Sequence, residues 1–254
     1  MPRQLDTVEL VRQVKALYTQ VAERPDADYH FPIGRALAEQ LGYPTDLLDR
    51  IPAEALASFA GVGYALGLAS LRPGERVLDL GSGSGTDSFA AAALVGPQGH
   101  VAGIDMTPAQ LAKAERLRDG ATHIQFTPGR LEELPFPNGS FDVVISNGVI
   151  NLCPDKRMVF REAARVLVPG GRLAIADIVA DTALPQTVTC NADLWSACIG
   201  GAAPQADYRT AIDNSGLKIT TLHDVPRYQF LTEQAQNASS AYGVRSITLA
   251  AARP

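Results

Sequence analysis

The chain has 254 residues, of which 46% are hydrophobic and 19% charged, with a formal net charge of −5. That length buries one large core, or a core plus a helical cap, and leaves little for two full-sized independent domains. The composition excludes a disordered chain, and the acidic balance argues against a nucleic-acid binder with a broad basic face. The N-terminus, MPRQLDTVEL, lacks the apolar core of a signal peptide. No uncharged run reaches the roughly 18 apolar residues of a membrane span; the nearest, 53–71, is opened by Glu54 and interrupted by Ser58, Gly61, Gly63 and Gly67. Cys153, Cys190 and Cys198 are an odd set without scaffold spacing, so a reducing cytoplasm and no membrane partner are the expectation.

In chain order, residues 7–22 carry Val8, Val11, Val14, Leu17, Tyr18 and Val21 at helical spacing. Pro25, Pro32, Pro44 and Pro52 then punctuate short elements, and residues 1–72 read as a helical cap without its own sheet. From residue 73 the texture changes to an alternation of strands and helices. It runs strand 75–81, helix 87–95, strand 100–105, helix 108–118, strand 122–126, strand 141–146, helix 156–167 and strand 172–177. Pro169-Gly170-Gly171 is expected to end the last of those helices and turn the chain into its strand. Residues 181–215 read as a helical insertion, 217–225 and 244–251 as two closing strands, and the Ser-rich 235–244 as a loop. The expected fold is α/β and Rossmann-like, with a seven-stranded, mostly parallel sheet and helices on both faces. A single unit, 73–254, would follow the cap, with 181–215 as a lid.

The sharpest motif is Val77-Leu-Asp-Leu-Gly-Ser-Gly-Ser-Gly85, at the end of the first strand. Glycines at 81, 83 and 85 allow a tight turn and a close approach to a ligand over the strand's carboxyl end. Asp105 ends the second strand, where a carboxylate can accept both hydroxyls of a ribose. A glycine turn alone fits any tight turn in an unrelated α/β protein; strand, loop, helix and Asp105 together point to a nucleoside cofactor. A dinucleotide fingerprint requires glycine where Thr86 stands. Asp79 and Asp87 bracket the loop with negative charge, which disfavours pyrophosphate and suits a ligand carrying an ammonium group, such as the methionine end of S-adenosylmethionine.

The stretches Asp79-Leu-Gly-Ser-Gly, Gly103-Ile-Asp-Met-Thr-Pro108, Leu134-Pro-Phe-Pro-Asn-Gly-Ser-Phe-Asp142 and Arg165-Val-Leu-Val-Pro-Gly-Gly171 resemble the class I S-adenosylmethionine-dependent methyltransferases. Ser146-Asn-Gly-Val-Ile-Asn-Leu152, Pro154-Asp-Lys156, Leu194-Trp-Ser-Ala-Cys-Ile-Gly-Gly-Ala202 and Val14-Lys-Ala-Leu-Tyr18 are similar to arsenite methyltransferases in particular. The resemblance implies S-adenosylmethionine as cofactor and S-adenosylhomocysteine as product. Asp79, Gly81, Ser82, Gly83 and Asp87 would line its methionine end, Asp105 would take the ribose, and Met106 would pack on the adenine. Arg130 and Leu131 would lie at the adenine edge, where the family pattern often has an acidic residue first. Asn147 would lie below the transferred methyl, with Cys198 as the other catalytic candidate, and Tyr18, Trp195 and Cys198 would meet the acceptor.

The family holds trivalent arsenic with three cysteines, and this chain carries Val62, Gly148 and Cys198 at those positions. Cys190 and Cys198, eight residues apart, stand about 12 Å apart on one helix and cannot share an atom without a bend. Cys153 could approach Cys198. The resemblance therefore implies a small-molecule methyltransferase with an altered acceptor site. A true arsenite enzyme using Cys198 with Cys153 or external thiols is an alternative, as are a nicotinamide-dependent oxidoreductase and a non-catalytic cofactor-binding protein. Trp195 either walls the acceptor pocket or anchors its helix. The four histidines are scattered and no metal-ligand spacing occurs. The expected partner is a small-molecule acceptor, and the expected state a monomer or homodimer.

Overall fold

A computed structural model describes residues 6–190, 195 and 199–254. Five helices come first: α1 (Thr7–Glu23), α2 (Gly34–Leu41), α3 (Thr45–Leu48), α4 (Ala53–Ala57) and α5 (Ala65–Ala69). Asp6 caps α1 by accepting the amides of Val8 and Glu9 at 3.0 Å. The other end of α1 is tied down by polar contacts: Ser58 Oγ donates to Val21 O at 2.9 Å and Lys113 Nζ to Ala22 O at 2.9 Å.

The alternating section then gives β1 (Arg76–Leu80), α6 (Thr86–Val95), β2 (His100–Asp105), α7 (Pro108–Leu117), β3 (Ile124–Pro128), β4 (Phe141–Asn147), α8 (Lys156–Val166) and β5 (Leu167–Val179). The chain closes through α9 (Gln186–Thr189), a helix Gln205–Asn214, β6 (Lys218–Asp224), a helix Glu233–Tyr242 and β7 (Arg245–Ala252). The seven strands form one sheet in the order β3-β2-β1-β4-β5-β7-β6, parallel except for β7, which runs antiparallel to both neighbours.

Both faces of the sheet are buried along its inner strands, as a parallel sheet requires, while the edge strands β3 and β6 are more open. The period-two alternation of strands decides which residue faces which layer. Leu78, Leu80, Val144, Leu173 and Ile175 pack with Phe160 of α8 and Tyr208. Val77, Val143, Ile145 and Ala174 pack on the opposite side against α6 and the residues of α2 to α5. Among the described residues, no helix is long and apolar enough to cross a membrane.

Two expectations need correction. The stretch 235–244 is not a loop. Residues Glu233–Tyr242 form a helix whose first turn is capped by Thr232 Oγ1 accepting the Ala235 amide at 3.2 Å, and which ends at Gly243 in the left-handed conformation. Polar composition conceals it, because only Ala235 and Ala238 are buried on its inner side. The strand expected at 172–177 begins earlier, at Leu167, and carries the Pro-Gly-Gly segment within it, since Leu167 pairs with Phe141 across the neighbouring strand.

The chain leaves β1 toward β2 and β3 on one side and returns to β4 on the other. That reversal places a crevice beyond the carboxyl ends of β1 and β4, where open α/β sheets bind ligands.

Candidate active site

The glycine loop is fixed by β2. Gly81 and Ser82 both donate their amides to Ile104 O, at 2.8 and 3.0 Å. Gly81 has φ +72, and a Cβ there would stand 2.7 Å from the side chain of Val149, so both the turn and the approach of the 148–150 segment require glycine. Asp105 holds the loop from the far side, accepting the Gly83 amide at 3.0 Å and the Thr107 amide at 2.7 Å. Burial pushes the Asp105 carboxyl above its ordinary range, and those amides partly hold it down.

Three further groups complete the polar end. Asp79 accepts Ser88 Oγ at 2.6 Å. Burial, and then the charge of Asp87, push Asp79 up to about 8. Asp87 is also raised by burial, opposed by hydrogen bonds from Tyr43 and Asn147. Among the described residues, no lysine or arginine pairs with Asp79, Asp87 or Asp105. A buried carboxylate cluster without a cation is costly unless protonated or met by a cationic ligand. Ser82 Oγ, also buried, has no hydrogen-bond partner.

Asp79, Ser82, Asp87 and Asp105 line one cleft, whose empty space is about 1070 Å³ with open solvent included. Gly81, Ser82, Gly83, Met106, Arg130, Leu131 and Asn147 line the same space as Asp79, Asp87 and Asp105. The structure thus brings the whole expected cofactor set together. Arg130 sits at the rim, about half exposed and 3.3 Å from Glu132. Apolar side chains line the same cleft: Leu10, Val11 and Val14 of α1 with Phe59, Val149 and Leu152.

The acceptor candidates separate. Tyr18 lines the cleft and its carbonyl accepts Gln110 Nε2 at 2.9 Å. Trp195 is not on the wall: it is buried in the core cluster with Leu10 and Val14. Its indole N–H donates to Thr189 O at 2.6 Å, and Lys156 Nζ stands 4.8 Å over the ring. This placement fits the anchoring role for Trp195 rather than a wall of the pocket. Cys198 lies outside the described residues. Cys153 does line the cleft, but its thiol is buried and donates to Val149 O at 3.6 Å, and burial pushes it well above the ordinary thiol range. Val62 and Gly148 are neighbours: a Cβ at 148 would meet Val62 Cγ1 at 3.4 Å.

Asn147 has both ends of its amide engaged. Its Oδ1 accepts the Val62 amide at 2.8 Å, and its Nδ2 faces Gly63 O at 2.9 Å and Asp87 Oδ2 and Tyr43 OH at 3.0 Å. Sequence reasoning misses Tyr43 and Gln110. Gln110, buried at the start of α7, accepts Ser84 Oγ and ties the loop to α1. For Tyr43 the sequence shows only the Gly42–Pro44 turn punctuation around it.

The family profile described as "Methyltransferase domain" matches residues 71–223. An arsenite methyltransferase of Halobacterium salinarum is 41% identical over 183 residues, covering 71% of this chain and 46% of that protein. The arsenite methyltransferase of Homo sapiens is 44% identical over 137 residues, 50% of this chain and 36% of that one. The chain spans about half the length, or less, of these curated relatives. Among solved structures, an arsenic (III) S-adenosylmethionine methyltransferase from Chlamydomonas reinhardtii is similar at 33% identity and a TM-score of 0.64, over 87% of this chain and 74% of that one. A geranyl diphosphate methyltransferase shares the fold, with a TM-score of 0.69 at 19% identity over 96% of this chain and 100% of that one.

Proposed function

This chain belongs to the class I S-adenosylmethionine-dependent methyltransferases, and we propose that it methylates a small, uncharged acceptor with a soft nucleophilic atom. The observation that carries this reading is the make-up of the cleft, which joins the buried carboxyls of Asp79, Asp87 and Asp105 to apolar side chains such as Leu10, Val14 and Leu152. The residues present fit the cofactor. Asp79 and Asp87 offer charge for an ammonium group. Asp105 offers acceptors for ribose hydroxyls, and Met106 and Leu131 offer apolar surface for the base. The cofactor, when bound, supplies a sulfonium methyl already activated for in-line displacement. The protein's part is to bind, orient and exclude water.

The apolar side chains then set the acceptor. Arg130 is the only cationic side chain lining the cleft among the described residues, and it is paired at the rim with Glu132. An anionic acceptor would find no counter-charge at depth. Two of the three positions where arsenite methyltransferases carry cysteine hold Val62 and Gly148, and the Cys153 thiol is held protonated. These features favour an acceptor other than trivalent arsenic. Leu10, Val11, Val14 and Tyr18 of α1 would form part of its cover.

The test is transfer of labelled methyl from the cofactor to small aliphatic and aromatic thiols, to carboxylate or phosphate compounds of matched size, and to arsenite with a thiol reductant. Neutral thiols are expected to take label at least tenfold faster than the anionic set. Transfer confined to anionic acceptors, or no transfer to any, would overturn the proposal. Rapid methylation of arsenite would replace it with the arsenite reading.

A further inference from the structure

We propose that Tyr43 is a positioning residue for the cofactor's methionine end, acting through Asp87. The inference rests on the cofactor reading above. Tyr43 does not line the cleft; it lies just after α2, is 3% exposed, and sends its hydroxyl toward the end of the sheet. There it closes a three-membered ring. Tyr43 OH donates to Asp87 Oδ1 at 2.5 Å, Asn147 Nδ2 reaches Asp87 Oδ2 at 3.0 Å, and the same Nδ2 lies 3.0 Å from Tyr43 OH. Asp87 and Asn147 both face the cleft. Tyr43 thus fixes from behind the direction in which the Asp87 carboxyl points.

The ring of Tyr43 is itself held. Phe59 packs edge-on at 5.3 Å between centroids and Tyr64 tilts against it at 4.4 Å. Burial and the nearby Asp87 charge push the Tyr43 phenol well above its ordinary range, so it remains a donor at every working pH. The groups facing Asp87 are Tyr43, Asn147 of β4, the Asp79 carboxyl of β1 and, farther off, Tyr64. None is cationic. The phenol is therefore a main stabiliser of the ionised Asp87, and ionised Asp87 is the form that an ammonium group requires.

The experiment compares wild type and Tyr43→Phe by calorimetric titration with S-adenosylhomocysteine from pH 6 to 9, alongside thermal melts without ligand. Wild-type affinity should rise with pH and level off, because binding displaces protons from the carboxyl pair. Tyr43→Phe should raise Kd about tenfold at pH 7 and move the levelling-off to higher pH. A carboxyl whose folded pKa exceeds its unfolded value keeps a proton that the unfolded chain has already released. Stability therefore falls as pH rises from the ordinary carboxylate range toward the folded pKa. Without the phenol, that fall should extend further up the pH scale in the ligand-free melts. Leu217→Ala is the control: it opens the core on the other face of the sheet, away from Tyr43, and should lower the melting temperature without moving the pH profile. A Tyr43→Phe profile superimposable on wild type would overturn the proposal and leave the cofactor reading standing. A folded wild type that binds no S-adenosylhomocysteine would overturn both.

Discussion

Asp105→Ala is expected to weaken S-adenosylhomocysteine binding about a hundredfold while the protein remains folded. The carboxylate does two jobs at once. It accepts the Gly83 and Thr107 amides, at 3.0 and 2.7 Å, and so sets the path of the glycine loop. Asp105 also lines the cleft, where the ribose hydroxyls would lie. A hydrogen bond to a charged group contributes about 1.5–3 kcal/mol, and losing the ribose contacts together with the loop's orientation brings the expected loss to about 2.7 kcal/mol, or a hundredfold. Removing a buried carboxyl also removes its desolvation cost, which offsets part of the two orphaned amides. The melting temperature should therefore change less than the affinity does. Asp105→Asn keeps one acceptor and should fall between alanine and wild type. Calorimetry and a thermal melt on the same samples decide the matter; an alanine variant within threefold of wild type would remove Asp105 from the site.

The second large effect is expected at Gly81. Valine there must adopt φ +72 and place its Cβ 2.7 Å from Val149. The left-handed conformation costs a branched residue about 1–2 kcal/mol, and a core clash typically adds about 1–3 kcal/mol. A total of about 3 kcal/mol corresponds to a drop in melting temperature of roughly 6–12 °C for a chain of this size. Cofactor binding should be lost as well, because Gly81 and Ser82 donate the bonds that hold the loop to β2. Gly139 has φ +63 and no atom within 4 Å of the point a Cβ would occupy, so it isolates the backbone contribution. Gly139→Val should lose only a fraction of that stability and bind normally. Equal melts for the two variants would show that the Val149 contact is not what demands glycine at 81.

Much of this architecture is legible in the sequence. The alternation of apolar runs with helices between 73 and 180 has strong local causes: β-branched runs bounded by glycine, and helices with caps. Asp155 is one such cap, accepting the Arg157 and Met158 amides at 3.1 and 3.2 Å. The glycine loop and Asp105 are legible because a ligand-facing turn restricts residue type at each position. The helix Glu233–Tyr242 is hidden because its stability comes from its caps and a two-alanine contact rather than an apolar stripe. The Tyr43–Asp87–Asn147 ring is hidden for a different reason. Asp87 lies 44 residues from Tyr43 and 60 from Asn147 in the chain, and nothing local to any of the three specifies the other two. Trp195 is open between two roles in the sequence, and only packing against Lys156 and Thr189 chooses between them.

The central claim is that the acidic, glycine-lined cleft holds S-adenosylmethionine, and calorimetric titration of the reduced protein with S-adenosylhomocysteine tests it most directly. The expected result is one site per chain, with an observed heat that varies with the buffer's ionisation enthalpy as Asp79 and Asp87 release protons. A flat titration from folded protein at pH 8 would contradict the account, because the carboxylates would then be gathered in the cleft for some other ligand.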